Sequence, residues 1–172
     1  MTTRYTRMPS PVGDLLLAGD GEALSAIWID GQRWAPEIEA GWRASREAFA
    51  AARLQLAEYF AGERTAFALT LHRRGTPFQN EVWSALMRIP FGETRTYGAI
   101  AAALGRPAAA RAVGAANGQN PFCIVVPCHR LVGSDGGMVD YAAGVEVKRR
   151  LLAHEAAVLA RPGPAEPARR TQ

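Results

Sequence analysis

The chain has 172 residues, enough to bury a substantial core as one domain or as two small ones. Apolar residues make up 48% and charged residues 21%, a balance that excludes a wholly disordered chain, and no apolar run approaches the roughly 18 residues of a membrane span. The net charge of +4 favours polyanionic partners without identifying one.

In chain order, residues 5–8, 14–18 and 23–29 read as strands, separated by Ser10-Pro11-Val12-Gly13 and by Asp20-Gly21. They predict a small, hairpin-rich antiparallel sheet. A less regular stretch follows to Ala44. Ser45 is placed to cap a helix running to Ala61, with Phe49, Ala52, Leu56 and Phe60 on one face and Gly62 as its stop. Residues 67–71 read as a further strand.

From Thr76 the pattern turns helical. Thr76-Pro77-Phe78-Gln79 supplies a capping threonine, a proline at the first helical position and a glutamine where a capping box wants one. Val82, Leu86 and Ile89 line one face of that helix, with Trp83 beside them, and Pro90-Phe91-Gly92 ends it. A helix over 97–104 stops at Gly105, and another runs from Pro107 to about Ala116. Two short helices around a glycine turn have the outline of a helix-turn-helix, and the second is alanine-rich with a single Arg111. Its small side chains allow close approach to another surface, although a tightly packed helix with Arg111 reaching outward has the same pattern.

Residues 117–121 form a polar turn, 124–126 read as a buried strand ending at Pro127, and 133–137 as a loop. A last helix covers 145–159. The fold class predicted is α/β of the α+β kind: a sheet-plus-helix domain over 1–72, a mostly helical domain over 73–160, and a disordered tail over 161–172.

Cys123 and Cys128 are too few and too close together for a disulfide framework or a zinc site, so no metal is expected. Cys123 reads as a structural residue. Cys128 ends an apolar run just past a proline and is followed by His129 and Arg130. A thiol becomes a strong nucleophile as its thiolate, and neighbouring cations or proton acceptors lower its pKa. In a regular strand Cys128 and His129 would face opposite ways, so the pairing requires a break, which Pro127 makes plausible. Asp135, Asp140, Glu146 and Glu155 are the candidates to orient His129.

Residues 75–155 resemble the C-terminal domain of the O6-alkylguanine-DNA alkyltransferase family. The resemblance is carried by Gly75-Thr76-Pro77-Phe78-Gln79 with Val82-Trp83, by Ile89-Pro90-Phe91-Gly92-Glu93-Thr94 with Thr96-Tyr97, and by Ala109-Ala110-Arg111-Ala112-Val113-Gly114. Asn120-Pro121, Pro127-Cys128-His129-Arg130, Tyr141, Gly144, Lys148, Leu151-Leu152 and Glu155 follow in order. The first 70 residues match more loosely, in length and element order.

The resemblance implies a single-use transfer of an alkyl group from guanine O6, with O4-alkylthymine a further candidate substrate, to Cys128 after the base is flipped out of double-stranded DNA. It implies that His129 activates Cys128 through a water and that Glu155 orients His129. Asn120 would brace the active-site turn, Tyr97 would protonate the departing guanine, and Arg111 and Ala110 would belong to the DNA-reading helix, with Arg111 filling the gap in the stack. Tyr141, Val139, Ala142 and Ala143 would line the pocket. Val139 and Ala143 stand where the family usually has glycine and predict a narrower pocket, and Ala142 replaces a frequent serine.

No cofactor and no membrane partner are implied. A monomer is expected, with cooperative DNA binding left open. The N-terminus lacks the apolar stretch of a secretory signal, so the expected location is the cytoplasm of a bacterium, or the nucleus of a eukaryote. Two other readings of the same residues are a cysteine hydrolase using Cys128, His129 and Glu155 as a triad, and a module that binds damaged DNA without repairing it.

Overall fold

The computed structural model describes residues 2–35 and 37–161. The fold is mixed α/β. Strands β1 (Arg4–Met8), β2 (Leu15–Gly19) and β3 (Leu24–Ile29) form the expected antiparallel meander. The stretch read as irregular adds a short β4 (Arg43–Ala44), which pairs in parallel with β1 and gives the order β3-β2-β1-β4.

The central strand β2 is buried at every position, because helix α1 (Ala50–Ala61) supplies Ala52 and Leu56 to one face. An aromatic cluster lies elsewhere on the sheet, where Trp28 stacks on Trp42 at 6.5 Å and Tyr5 meets Trp42 at 6.2 Å. Helix α1 starts later than Ser45 predicts. Ser45 Oγ instead accepts from Ala48 N, and Phe49 takes a left-handed conformation (φ 59°) that delays the helix to Ala50.

Helix α2 (Pro77–Leu86) opens on the full capping box between Thr76 and Gln79, and Trp83 Nε1 donates to Ala116 O, tying α2 to the later α4. The short β5 (Arg95–Thr96) leads directly into α3 (Tyr97–Ala103), whose first turn is capped by Thr96 Oγ1. A 3-10 turn (Pro107–Ala109) precedes α4 (Ala110–Gly118), so the helix begins later than Pro107. A second 3-10 turn (Cys128–Arg130) is followed by β6 (Leu131–Val132), which pairs in parallel with β5, and α5 (Val145–Leu159) closes the chain. Apart from Arg161, the tail expected over 161–172 lies outside the described residues.

Two predicted strands are absent. Residues 67–71 make only a single bridge, Leu71 to Leu24. Residues 124–126 form a buried turn, described below. Both segments nevertheless serve the sheet. Leu24 N donates to Thr70 O, and His72 N donates to Leu24 O. Farther along β3, Ile27 N donates to Pro121 O, and Cys123 N donates to Ile27 O. The outer edge of β3 is thus covered by two pieces of non-strand chain, which satisfy backbone groups that an open edge would leave bare. The apolar core runs without a gap from the sheet through α1 into the helices and the cysteine turn.

Candidate active site

The turn carrying the cysteines is buried from Phe122 to Arg130. A buried non-helical backbone needs internal partners for its polar groups, and two asparagines provide them. Asn120 Oδ1 accepts from Phe122 N, and its Nδ2 donates to Val126 O at 2.9 Å. Asn117 Nδ2 reaches Cys128 O at 3.4 Å. The chain reverses sharply inside this frame. Val125 N bonds back to Cys123 O across Ile124, held at φ 73°, and Cys128 N bonds to Val126 O across Pro127 at φ −79°, ψ 64°, an inverse γ-turn. A left-handed buried isoleucine is a costly conformation that the surrounding bonds must enforce.

Past Pro127 the 3-10 turn breaks the strand alternation that would set Cys128 and His129 on opposite faces. Cys128 Sγ lies 3.7 Å from Tyr141 Oη. His129 is fully buried, with Nε2 2.7 Å from Glu155 Oε1 and with no protein partner for Nδ1 among the described residues. Of the four carboxylates considered for His129, Glu155 is the one that reaches it. Asp140 pairs with Arg33, Glu146 with Arg149 and Arg150, and Asp135 accepts from Gly137 N within its own loop.

Glu155 is a hub rather than a single contact. It also takes Arg130 Nε at 3.0 Å, Tyr59 Oη at 2.9 Å and Gly92 N at 2.9 Å. Burial pushes its carboxyl up, but the hydrogen bonds and charges of His129 and Arg130 outweigh that and hold it at about 2. With Glu155 ionised, Nε2 of His129 is assigned as the donor, which leaves Nδ1 as the acceptor in the neutral ring. Arg130 also donates to Ile89 O and lies over the Phe91 ring.

The Cys128 thiol is held at about 6. The neighbouring Cys123 thiol is the largest influence, and His129, Asn120 and Tyr141 add to it against the opposing effect of burial. The phenol of Tyr97 is pushed up by its partial burial and by the charge of Cys128. Tyr97 reaches this place because β5 pairs with β6, the strand that follows the cysteine turn, and its ring lies against Gly114 of α4.

Cys128 opens onto a cavity of about 410 Å³. Its walls combine Tyr97, Ala110, Arg111 and Gly114 from the helix pair, Asn117 and Asn120 below, Cys123 and Cys128 at the turn, and Val139, Asp140, Tyr141 and Ala142 from the loop opposite. Arg111 stands on the exposed face of α4 at the mouth and makes no ion pair among the described residues. Val139 lines the cavity as expected. Ala143 does not; it packs against the core outside the lining.

Sequence reasoning missed several participants. Gln32 and Arg33 complete the cavity from the N-terminal part of the chain. Arg33 N donates to Ala142 O at 2.9 Å and its side chain pairs with Asp140, so the pocket loop is fastened to the sheet. Tyr59 joins Glu155 from α1. No local pattern marks these residues, since their partners in the site lie 91 to 109 positions away. Lys148 was carried by the family resemblance without a role. It is fully buried, burial lowers its pKa, and Nζ donates to Val139 O behind the pocket loop.

A buried cysteine of lowered pKa, a histidine held by an ionised carboxylate, and a cavity rimmed by a helix pair describe a site built around a thiol nucleophile. The 6-O-methylguanine DNA methyltransferase DNA binding domain matches residues 77–157, and the ribonuclease-like domain of the same proteins matches residues 3–72. The chain belongs to this family. The methylated-DNA--protein-cysteine methyltransferase of Mycobacterium leprae is 50% identical over 145 residues, 84% of this chain and 87% of that protein. Its counterpart in Methanosarcina acetivorans is 47% identical over 148 residues, 86% of this chain and 95% of that protein. The crystal structure of Mycobacterium tuberculosis OGT in complex with DNA superposes with a TM-score of 0.87 at 47% identity, covering 90% of this chain and 94% of that one. No helix among the described residues is long and apolar enough to cross a membrane.

Proposed function

We propose that this protein repairs DNA by moving the alkyl group of an O6-alkylguanine onto Sγ of Cys128, once per molecule. The observation that carries this reading is the low-pKa Cys128 thiol at the end of a cavity whose mouth is formed by α4 and Arg111.

In a duplex the O6 substituent is inside the base stack, and Cys128 is 3% exposed, so the base must leave the helix to meet the thiol. Helix α4 presents a smooth exposed face of Ala112 and Ala115, which lets its backbone approach the duplex, and Arg111 is the one long side chain there able to occupy the space the base vacates. The flipped base enters between Tyr97 and the loop carrying Tyr141.

His129 takes the thiol proton through Nδ1 by way of a water, and Glu155 stabilises the resulting imidazolium through Nε2. The thiolate attacks the alkyl carbon in line. An S–C bond forms, the C–O6 bond breaks, and the electron pair goes to the guanine, which takes a proton from Tyr97. The pKa of Tyr97 is pushed up, so the phenolate left by that transfer is reprotonated from water. Asn120 and Asn117 hold the turn so that Sγ stays aimed at the cavity. The product is a thioether, in which sulfur is a poor leaving group from an alkyl carbon, so the protein is consumed stoichiometrically. For a chain of bacterial type that acts on DNA we propose a cytoplasmic location, with the nucleus as the counterpart in a eukaryote.

The test is intact-mass measurement after mixing with duplex DNA carrying O6-methylguanine. One methyl should be gained, it should map to Cys128, and Cys128→Ser should bind the DNA without any gain. Turnover without a mass gain would mean a hydrolase, binding alone would mean a sensor, and a label on another residue would overturn the assignment.

A further inference from the structure

The cavity holds two thiols, and the alkyl transfer uses one. Cys123 is five positions before Cys128 and would lie far from it in an extended strand. The paired reversals at Ile124 and Pro127 fold the intervening chain back and bring both side chains to the same cavity wall. There they neighbour each other and the Tyr141 hydroxyl. Cys123 Sγ also lies 2.9 Å from Gln32 Oε1. Both sulfurs are buried in the protein yet open to one shared space, and both are free thiols.

We propose that Cys123 and Cys128 form an oxidisable pair, in which a peroxide converts the acceptor thiol into a Cys123–Cys128 disulfide that reversibly protects it. The inference rests on Cys128 being the reactive thiolate. A thiolate that attacks an alkyl carbon also attacks a peroxide oxygen. An S–O bond forms at Cys128, the O–O bond breaks, and the departing hydroxide is protonated to water, leaving the sulfur oxidised by two electrons as a sulfenic acid. Cys123, losing its proton, then attacks the Cys128 sulfur. The S–S bond forms, the S–O bond breaks, and a second water carries off the hydroxyl and the proton. Two thiols and one hydrogen peroxide give one disulfide and two waters.

The surroundings suit this division of labour. The hydrogen bond with the neighbouring Cys128, and then burial, push the Cys123 thiol well up, so it stays protonated and inert until a sulfenic acid forms beside it. The cavity is open enough for a small peroxide, and no other residue of the lining is a thiol. For a protein used once, over-oxidation of the acceptor is as final as alkylation, and a resolving thiol makes the first oxidation recoverable. In a reducing cytoplasm the disulfide would be transient and removed by cellular dithiols.

The experiment treats the full chain with a small excess of hydrogen peroxide and follows mass, free thiols and methyl transfer. The wild type should lose about 2 Da and both thiols, yield a peptide linking Cys123 to Cys128, stop accepting methyl, and recover fully with dithiothreitol. Cys123→Ser should instead gain about 32 Da at Cys128, the sulfinic acid, and should not recover. Wild type that gains oxygen without a linked peptide, or loses activity irreversibly at the same rate as Cys123→Ser, would overturn the proposal. The linked peptide is sought in the wild type, so the result stands even if the variant folds poorly. Methyl transfer by untreated wild type is measured alongside. Transfer to Cys128 with no disulfide refutes the pair alone, whereas absence of transfer refutes the repair reading.

Discussion

Replacing Glu155 by glutamine keeps the shape of the side chain but converts a buried acceptor into one that is half donor. In the wild type the carboxylate is fully buried and accepts from His129, Arg130, Tyr59 and Gly92. The amide nitrogen of Glu155→Gln would face at least one of these donors, and Arg130, only 6% exposed, would lose its counter-ion. Breaking a buried pair by removing one partner costs about 3–5 kcal/mol.

Linkage gives a separate figure. The gap between about 2 in the folded protein and the ordinary value of 4.5 corresponds to about 3 kcal/mol. Because the folded value is the lower one, this stabilisation is fully present above pH 4.5 and is lost as pH falls towards 2. Urea unfolding should therefore show Glu155→Gln less stable by about 3 kcal/mol at neutral pH, with the gap shrinking below about pH 4.5. Single-turnover methyl transfer from duplex DNA should fall by about a hundredfold or more, because His129 loses the acceptor that fixes its tautomer. A stability loss under about 0.5 kcal/mol at neutral pH, or a gap that persists in acid, would refute the reasoning.

Alkylation of Cys128 by iodoacetamide should rise with pH around 6 and level off above 7, whereas an ordinary thiol continues to rise past 8; a midpoint near 8.5 would contradict the low pKa. Arg111→Ala should slow repair of duplex DNA by roughly a hundredfold, while the slower reaction with free O6-methylguanine base changes little, since only the duplex requires flipping. Equal losses on the two substrates would remove Arg111 from the flipping step.

Local chemistry made much of this molecule legible in the sequence. Apolar runs and the turn signals between them located the three meander strands. The Thr76–Gln79 capping box marked the start of α2, and the Pro127-Cys128-His129-Arg130 run marked the reactive turn. The failures have a shared cause in long-range contacts. Ile124-Val125-Val126 has the composition of a strand, but Asn120 takes up Val126 O while Val125 N and Val126 N bond back to Cys123 O and Phe122 O, a turn that overrides propensity. Residues 67–71 are extended chain recruited to an edge, and one bridge to Leu24 does not make a strand. Gln32, Arg33 and Tyr59 enter the site only because the sheet and α1 are folded against the helical part, an arrangement that no pattern within a few residues encodes.

The hydrogen bonds between Ile27 and the Pro121–Cys123 segment bear on whether the chain can be divided. A chain cut near residue 73 would expose the edge of β3 on one fragment, with Ile27 N and O bare and ready to recruit a foreign strand. The other fragment would lose the ledge against which the cysteine turn is built, together with Gln32 and Arg33 from the cavity and Tyr59 from the Glu155 hub. Each half would therefore lack part of the site. The sheet acts as the anvil on which the reactive turn is shaped, and fusion or truncation designs that treat it as a dispensable leader would dismantle the chemistry from behind.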